Sequence, residues 1–249
     1  MNGLSKAAIL SIKYNLPHPQ GNTLCGHRKE KPMKKIFCII ASIFVMTSAL
    51  CVSAAEMNSA QAERLNSLGI MNGDPDGSLR LNDSITRAEA AKMLCIAKTT
   101  QDIIDSSEIT DSFNDIPESH WAYRYICYAK KNGIANGDEN GNFNPEANIT
   151  NAEITKMVVS LLGYSVFADI NGGYPAGYMM AATRFGITDG LTLITDSPAI
   201  RSDVGIMINN ALDTPLMVNT SENGDEEFSI MDGNNGEPRK TLLTERNMK

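Results

Sequence analysis

The sequence predicts a mostly α protein. Three helix–loop–helix repeats pack as a pseudo-threefold bundle, followed by a short β-hairpin or a disordered C-terminal tail. Three observations predict it. Residues 69–89 (GIMNGDPDGSLRLNDSITRAE) recur at 133–153 (GIANGDENGNFNPEANITNAE) at a constant offset of 64, with no gap. Each block is followed by apolar residues at helical spacing. Each block also opens on a glycine that can end a preceding helix. A lone helix pair cannot bury such a face, so the copies must stack.

Taken in order, residues 1–32 read as a leader translated ahead of the true start at Met33, because signal peptides normally begin at the start codon. Residues 33–54 read as a secretory signal peptide. Lys34 and Lys35 form its positive region and residues 36–52 its apolar stretch; Ser53, Ala54 and Ala55 favour cleavage after Ala54. Removing 1–54, which holds seven Lys/Arg and one Glu, from a chain with 22 basic and 29 acidic residues leaves 15 and 28, a formal net of −13. So acidic a chain has no general attraction for nucleic acid, nor for an anionic membrane once the signal is cleaved. A polyanion would have to be held by a few locally placed cations. Cys95 and Cys127 sit at apolar helix positions and read as buried free thiols rather than a disulfide. His120 is the sole histidine after the signal, which argues against a His-rich metal site or a conventional triad.

Repeat one covers 57–110, repeat two 111–164 and a degenerate repeat three 165–217. In repeat two, Trp121, Ala122, Tyr125, Ile126 and Ala129 recur at helical spacing, and Asn132-Gly133 ends that helix. Thr150 and Glu153 then form a capping box, as Thr86 and Glu89 do in repeat one. Each cap is worth about 1 kcal/mol. Repeat three keeps Arg201 but has Ile200 and Asp203 in place of the capping Thr and Glu. Tyr174 precedes Gly186 by twelve residues, as Trp121 precedes Gly133; repeat one has Met57 there. The tail, 218–249, turns to Asn, Gly, Asp and Glu, with 228–231 and 241–243 as two candidate strands.

Ile85-Thr86-Arg87-Ala88-Glu89, preceded by Gly69-Ile70-Met71-Asn72-Gly73 and Pro75-Asp76-Gly77, resembles the surface-layer homology (SLH) domain. So do Phe113-Asn114-Asp115-Ile116 and His120-Trp121-Ala122. The resemblance covers roughly residues 57–217 and implies three tandem repeats of clostridial type. It further implies a secreted protein on the wall or S-layer surface of a Gram-positive bacterium, held non-covalently by acidic, pyruvylated secondary cell-wall polysaccharide. Other S-layer subunits are then candidate partners, and no cofactor or enzymatic activity is implied. Arg87 fits the role, since a guanidinium meets a carboxylate with two parallel hydrogen bonds. Amides of the first helical turn would add donors for an anion.

The candidate glycan contacts are therefore Arg87, Lys92, Trp121, Arg201 and the loop residues Asn72, Gly73, Asn136 and Gly137. Asn151 replaces the motif arginine in repeat two, so the expectation is one complete groove around Arg87, with Arg201 the candidate for a second. Lys156 matches Lys92, and repeat three has Ile206 there. Trp121 is open to either a sugar-stacking or a core role. The carboxylates of 72–83 partly mimic a calcium loop, but Arg80 and Ala147 break the pattern, and Asx turns are the favoured reading, with no metal. Two competing readings are a self-association scaffold without glycan binding and the anchor portion of a longer surface enzyme, with the tail as the start of a further domain.

Overall fold

The computed structural model describes residues 56–220, 227–234 and 238–247; the leader at 1–32 and the signal peptide at 33–54 lie outside the described residues. Repeat one supplies α1 (Ser59–Ser67), α2 (Arg87–Lys98) and α3 (Gln101–Ser106). Repeat two supplies α4 (Tyr123–Lys131) and α5 (Asn151–Leu161); α6 (Ser165–Ile170), within the bounds expected for repeat three, follows α5 as α3 follows α2. Repeat three supplies α7 (Ala176–Arg184) and α8 (Arg201–Asp213). The chain continues into β1 (Met217–Asn219), β2 (Phe228–Ile230) and α9 (Leu242–Asn247). The mostly α class is as expected; the short third helices α3 and α6 are additions to the two-helix unit.

Local signals act where the sequence places them. Gly133 ends α4 in the left-handed region at φ 66°. Capping boxes start α2 at Thr86/Glu89 and α5 at Thr150/Glu153, while Ile200 leaves α8 without a side-chain cap.

The repeats close into a ring. The first helix of each repeat packs on the second helix of the repeat before it: α4 on α2, α7 on α5, and α1 back on α8. The three second helices meet one another at the centre. Just ahead of them, three peptide groups make a cyclic set of hydrogen bonds. Ile149 N–H donates to the Ile85 carbonyl (3.0 Å), Ala199 N–H to Ile149 (2.8 Å), and Ile85 N–H to Ala199 (3.1 Å). Ile85, Ile149 and Ala199 are fully buried around this pseudo-threefold axis.

The same closure uses up the helix-start amides. Arg87 and Ala88 donate to the carbonyls of Ala147 and Pro145, Asn151 and Ala152 to Ser197 and Thr195, and Arg201 and Ser202 to Asp83 and Leu81. The N–H of Glu89 goes to Thr86 Oγ1. The expectation that first-turn amides remain open to an anion is thus corrected, because the loop of the next repeat has already satisfied them.

The tail also differs from expectation. A hairpin forms, but β2 pairs antiparallel with β1, Met217 opposite Ile230, rather than with 241–243. Thr241 and Leu242 instead start α9, which packs on α2 and α8. Leu242 and Met231 are buried, so apolar burial fixes a segment whose polar composition reads as solvated. Arg246 donates to the carbonyls of Ile96 and Thr99 at the end of α2 and to Leu68 after α1. It thereby satisfies acceptors that helix ends leave open. Arg246→Ala should cost about 1–2 kcal/mol in urea unfolding, since each charge-assisted bond to a carbonyl is only partly replaced by water.

Candidate functional site

Because each second helix points its first residue at the loop of the next repeat, the grooves are built in trans. Arg87, the first residue of α2, reaches the loop of repeat two. Its Nε donates to the Phe143 carbonyl (2.7 Å), Nη1 to Glu153 Oε1 (3.0 Å) and Nη2 to the Asn136 carbonyl (3.5 Å). The guanidinium also lies 4.9 Å above the Phe143 ring. Glu153 serves two ends at once: Oε2 accepts the Thr150 N–H (2.8 Å) to cap α5, and Oε1 holds Arg87.

Around this pair, Arg87, Asn136, Gly137, Asn144, Glu153, Lys156 and Tyr174 line a groove of about 350 Å³. Tyr174, from repeat three, is half exposed, and the Lys156 ammonium lies 5.3 Å from its ring. Burial is the main cause holding the Tyr174 phenol above its ordinary range. This groove therefore takes an arginine from one repeat, a loop and lysine from the next, and an aromatic from the third. The floor is fixed by close packing, since a Cβ on Gly137 would lie 2.9 Å from the Phe113 ring.

The contacts around Arg201 follow the same construction one step round the ring. Arg201 donates from Nη2 to the Asn72 carbonyl (3.1 Å) and lies 3.8 Å from Glu89. Glu89 caps α2 through Thr86 N–H (2.9 Å). Lys92 lies 5.8 Å from the Tyr125 ring, as Lys156 lies 5.7 Å from Tyr178. Trp121, two residues ahead of α4, holds the place that Tyr174 holds ahead of α7. It is 54% exposed and stacked on His120, which settles its open role against the core. His120 accepts the Ala122 amide at Nδ1 (3.1 Å) and meets Glu146 through Nε2 (3.0 Å).

In the third interface the polar set is replaced. Asn151 stands for the arginine and donates to the Ile194 carbonyl (2.9 Å). Asp203 stands for the glutamate, and burial raises its carboxyl above the usual range. Ile206 and Met57 replace the lysine and the aromatic, and both are buried. Gly205 leaves room for two methionines: a Cβ there would lie 2.4 Å from Met57 Cε and 2.7 Å from Met71 Cε.

The site residues expected from the sequence thus divide. Arg87 joins Asn136 and Gly137, whereas Arg201 joins Asn72 and Glu89, on the groove whose loop carries Gly73 and whose α2 carries Lys92. The expected loss of repeat two's groove through Asn151 is corrected, because Arg87 supplies that groove and Asn151 belongs to repeat three's. Sequence reasoning noted Lys156 and Tyr174 without placing them beside Arg87. Their offsets from Lys92 and Trp121 were the available signal. Arg80, noted in the sequence only as a break in the calcium-loop pattern, bonds Glu89 at 3.3 Å. The loop acids make Asx turns: Asp76 accepts the Ser78 amide, and Asp138 those of Asn140 and Asn142. The Asn142 amide is the first cause holding Asp138 below the usual carboxylate range.

Ring closure and composite grooves define a repeat-built module of inter-repeat clefts. Residues 62–91 and 112–155 match the family model described as the S-layer homology domain. The chain is similar to a cell surface protein of Thermoanaerobacter kivui, 27% identical over 75% of this chain and 26% of the relative. It is also similar to the middle cell wall protein of Brevibacillus brevis, 26% identical over 85% of this chain and 20% of that protein. An uncharacterized cell wall amidase of Bacillus anthracis is 31% identical over 48% of the chain and 24% of its own length. The matched stretches span about a quarter or less of these relatives. The chain is an S-layer homology domain protein of the cell-surface, cell-wall-associated kind.

Proposed function

We propose that the chain anchors non-covalently to a Gram-positive cell wall by binding acidic, pyruvylated wall polysaccharide in two of its three inter-repeat grooves, without catalysis. The observation that carries this reading is the Arg87 groove. There a guanidinium, the Lys156 ammonium, the exposed ring of Tyr174 and the Asn136-Gly137 backbone converge on one cavity of about 350 Å³. An exposed ring offers a flat apolar face to a sugar, the cations attract acidic substituents, and the loop backbone suits hydroxyls. The Arg201 groove repeats the set with Lys92, Trp121 and Asn72-Gly73. The third interface, filled by Met57, Met71 and Ile206, is left out of the binding.

A pull-down with purified pyruvylated wall polysaccharide tests the reading. Wild type should be retained, and a Trp121→Ala/Tyr174→Ala variant should lose about fivefold in affinity at each groove, since each exposed ring contributes on the order of 1 kcal/mol. Undiminished retention of that variant would sink the proposed grooves.

A further inference from the structure

Five Asn-Gly pairs lie among the described residues, at Asn72, Asn132, Asn136, Asn140 and Asn171, and all five asparagines are exposed. This dipeptide carries its own chemistry. With no Cβ in the way, the glycine nitrogen can reach the side-chain amide of the asparagine before it. The nitrogen is a nucleophile only once its proton has left, so whatever holds that proton or stabilises the resulting anion sets the rate.

The fold divides the five. The Gly133 N–H donates to the Lys130 carbonyl (3.0 Å) and the Gly141 N–H to Asp138 (3.0 Å), so both protons are held inside turns. The side chains of Asn132 and Asn171 are tied to the carbonyls of Tyr128 (2.9 Å) and Phe167 (2.8 Å). At Asn72-Gly73 and Asn136-Gly137, neither the glycine N–H nor the asparagine side chain has a hydrogen-bond partner among the described residues.

In these two pairs the oxygen of the same peptide group also accepts from a guanidinium. Arg201 Nη2 donates to the Asn72 carbonyl (3.1 Å) and Arg87 Nη2 to Asn136 (3.5 Å), whereas the Asn140 carbonyl takes the neutral amide of Asn114 (2.8 Å). When the glycine loses its proton, peptide resonance spreads the charge onto that oxygen, where a fixed cation stabilises it as an oxyanion hole does. Asn72 is the better placed. Its guanidinium bond is shorter, and the atoms nearest a Cβ on Gly73 belong to its own turn, with Ser78 O at 3.1 Å. Gly137 is instead packed against the Phe113 ring, which opposes the rotation that ring closure needs.

We propose that Asn72-Gly73 is a self-modification site, at which Arg201 promotes deamidation of Asn72 to aspartate and isoaspartate. Hydroxide takes the Gly73 proton and the nitrogen bonds to Asn72 Cγ. The Cγ–Nδ2 bond breaks, and ammonia leaves with a proton from water. Water then opens the cyclic imide at either carbonyl. The product sets a new carboxylate beside Arg201, which Glu89, Asp74 and Asp83 already face. The modification stands independently of ligand; its consequence rests on the wall-glycan reading above, since the added negative charge repels an acidic glycan and loosens the grip with age.

Peptide mapping by mass spectrometry of the full chain, held folded in mildly alkaline buffer, tests the site. Asn72 should convert first, while Asn132 and Asn140 stay unmodified over the same time. Arg201→Gln should slow conversion at Asn72 by about fivefold or more, the effect of one charge-assisted bond to a developing charge, and leave Asn136 unchanged. In urea, where Arg201 no longer meets Asn72, the five pairs should react alike in both proteins. Conversion of Asn132 or Asn140 as fast as Asn72 in the folded chain overturns the assignment. So does an unchanged or faster rate at Asn72 in Arg201→Gln, or a lead for Asn72 that persists in urea. Asn72→Asp, the product itself, should bind purified wall polysaccharide less tightly than wild type; undiminished binding overturns the loosened grip and leaves the modification standing.

Discussion

Replacing Gly163 by alanine should destabilise the protein by about 3 kcal/mol, lowering the thermal midpoint by roughly 6–12 °C. Two costs combine. Gly163 sits at φ 86°, where a side chain is strained by about 1–2 kcal/mol. A Cβ there would also lie 2.1 Å from the Met217 carbonyl oxygen. That oxygen belongs to backbone held by the Met217 N–H bond to Leu162 (2.9 Å) and by pairing with β2, so it cannot swing aside as a flexible side chain would. Gly69→Ala is the control. Its φ of 70° brings similar strain, but a Cβ there meets nothing within 4 Å, so about 1–2 kcal/mol is expected. Equal midpoints for the two variants would mean that β1 is not seated on Gly163.

Arg87→Met should cost about 2–4 kcal/mol in urea unfolding, where a solvated helix-start residue would cost within about 0.5 kcal/mol. The side chain is only 13% exposed, and its removal leaves the Phe143 carbonyl and the Glu153 carboxylate without their partner. A cycle with Glu153→Gln should show coupling of about 1 kcal/mol or more between the two positions, because they act in one network. Glu153 also caps α5, so the single Glu153→Gln change carries a cap loss of about 1 kcal/mol as well. Loss of glycan binding in Arg87→Met would not by itself show contact with the ligand, since the 136–144 loop that Arg87 holds would shift. Trp121, Tyr174 and Lys156 are better probes for that reason. A wild-type urea midpoint for Arg87→Met would return the residue to solvent and remove the clamp.

Much of the fold is legible in the residues. The 64-residue offset, the capping boxes at Thr86 and Thr150 and the glycine after each first helix are local signals, each set by the conformational preference of one or two residues. The candidate site was legible only as types. Arginine, lysine, an aromatic and a polar loop stand out in each copy, but their grouping was misread by one step. The loss of repeat two's groove through Asn151 was expected on the reading that each arginine serves its own repeat, whereas Arg87 serves the next, with Lys156 and Tyr174. The tail's short hairpin was legible, but its strand pairing and its docking were not, for a related reason. Its composition is polar, and the few apolar residues that dock it, Met231 and Leu242, gain a partner only once α2 and α8 lie side by side.

The sequence by itself determined the repeat, the helix starts and stops, the family resemblance and the kinds of side chain available for binding. These depend on short-range chemistry that each copy carries within itself. The tertiary structure decided which copies share a groove. The ring of hydrogen bonds through Ile85, Ile149 and Ala199 rotates every second helix onto its neighbour's loop, and no spacing along the chain encodes that rotation. It also decided that one interface is filled by methionine while the Arg87 groove stays open, and that Arg80 and Arg201 share one carboxylate. Those outcomes depend on contacts between residues more than a hundred positions apart, such as Arg201 with Asn72, which exist only after the ring has closed.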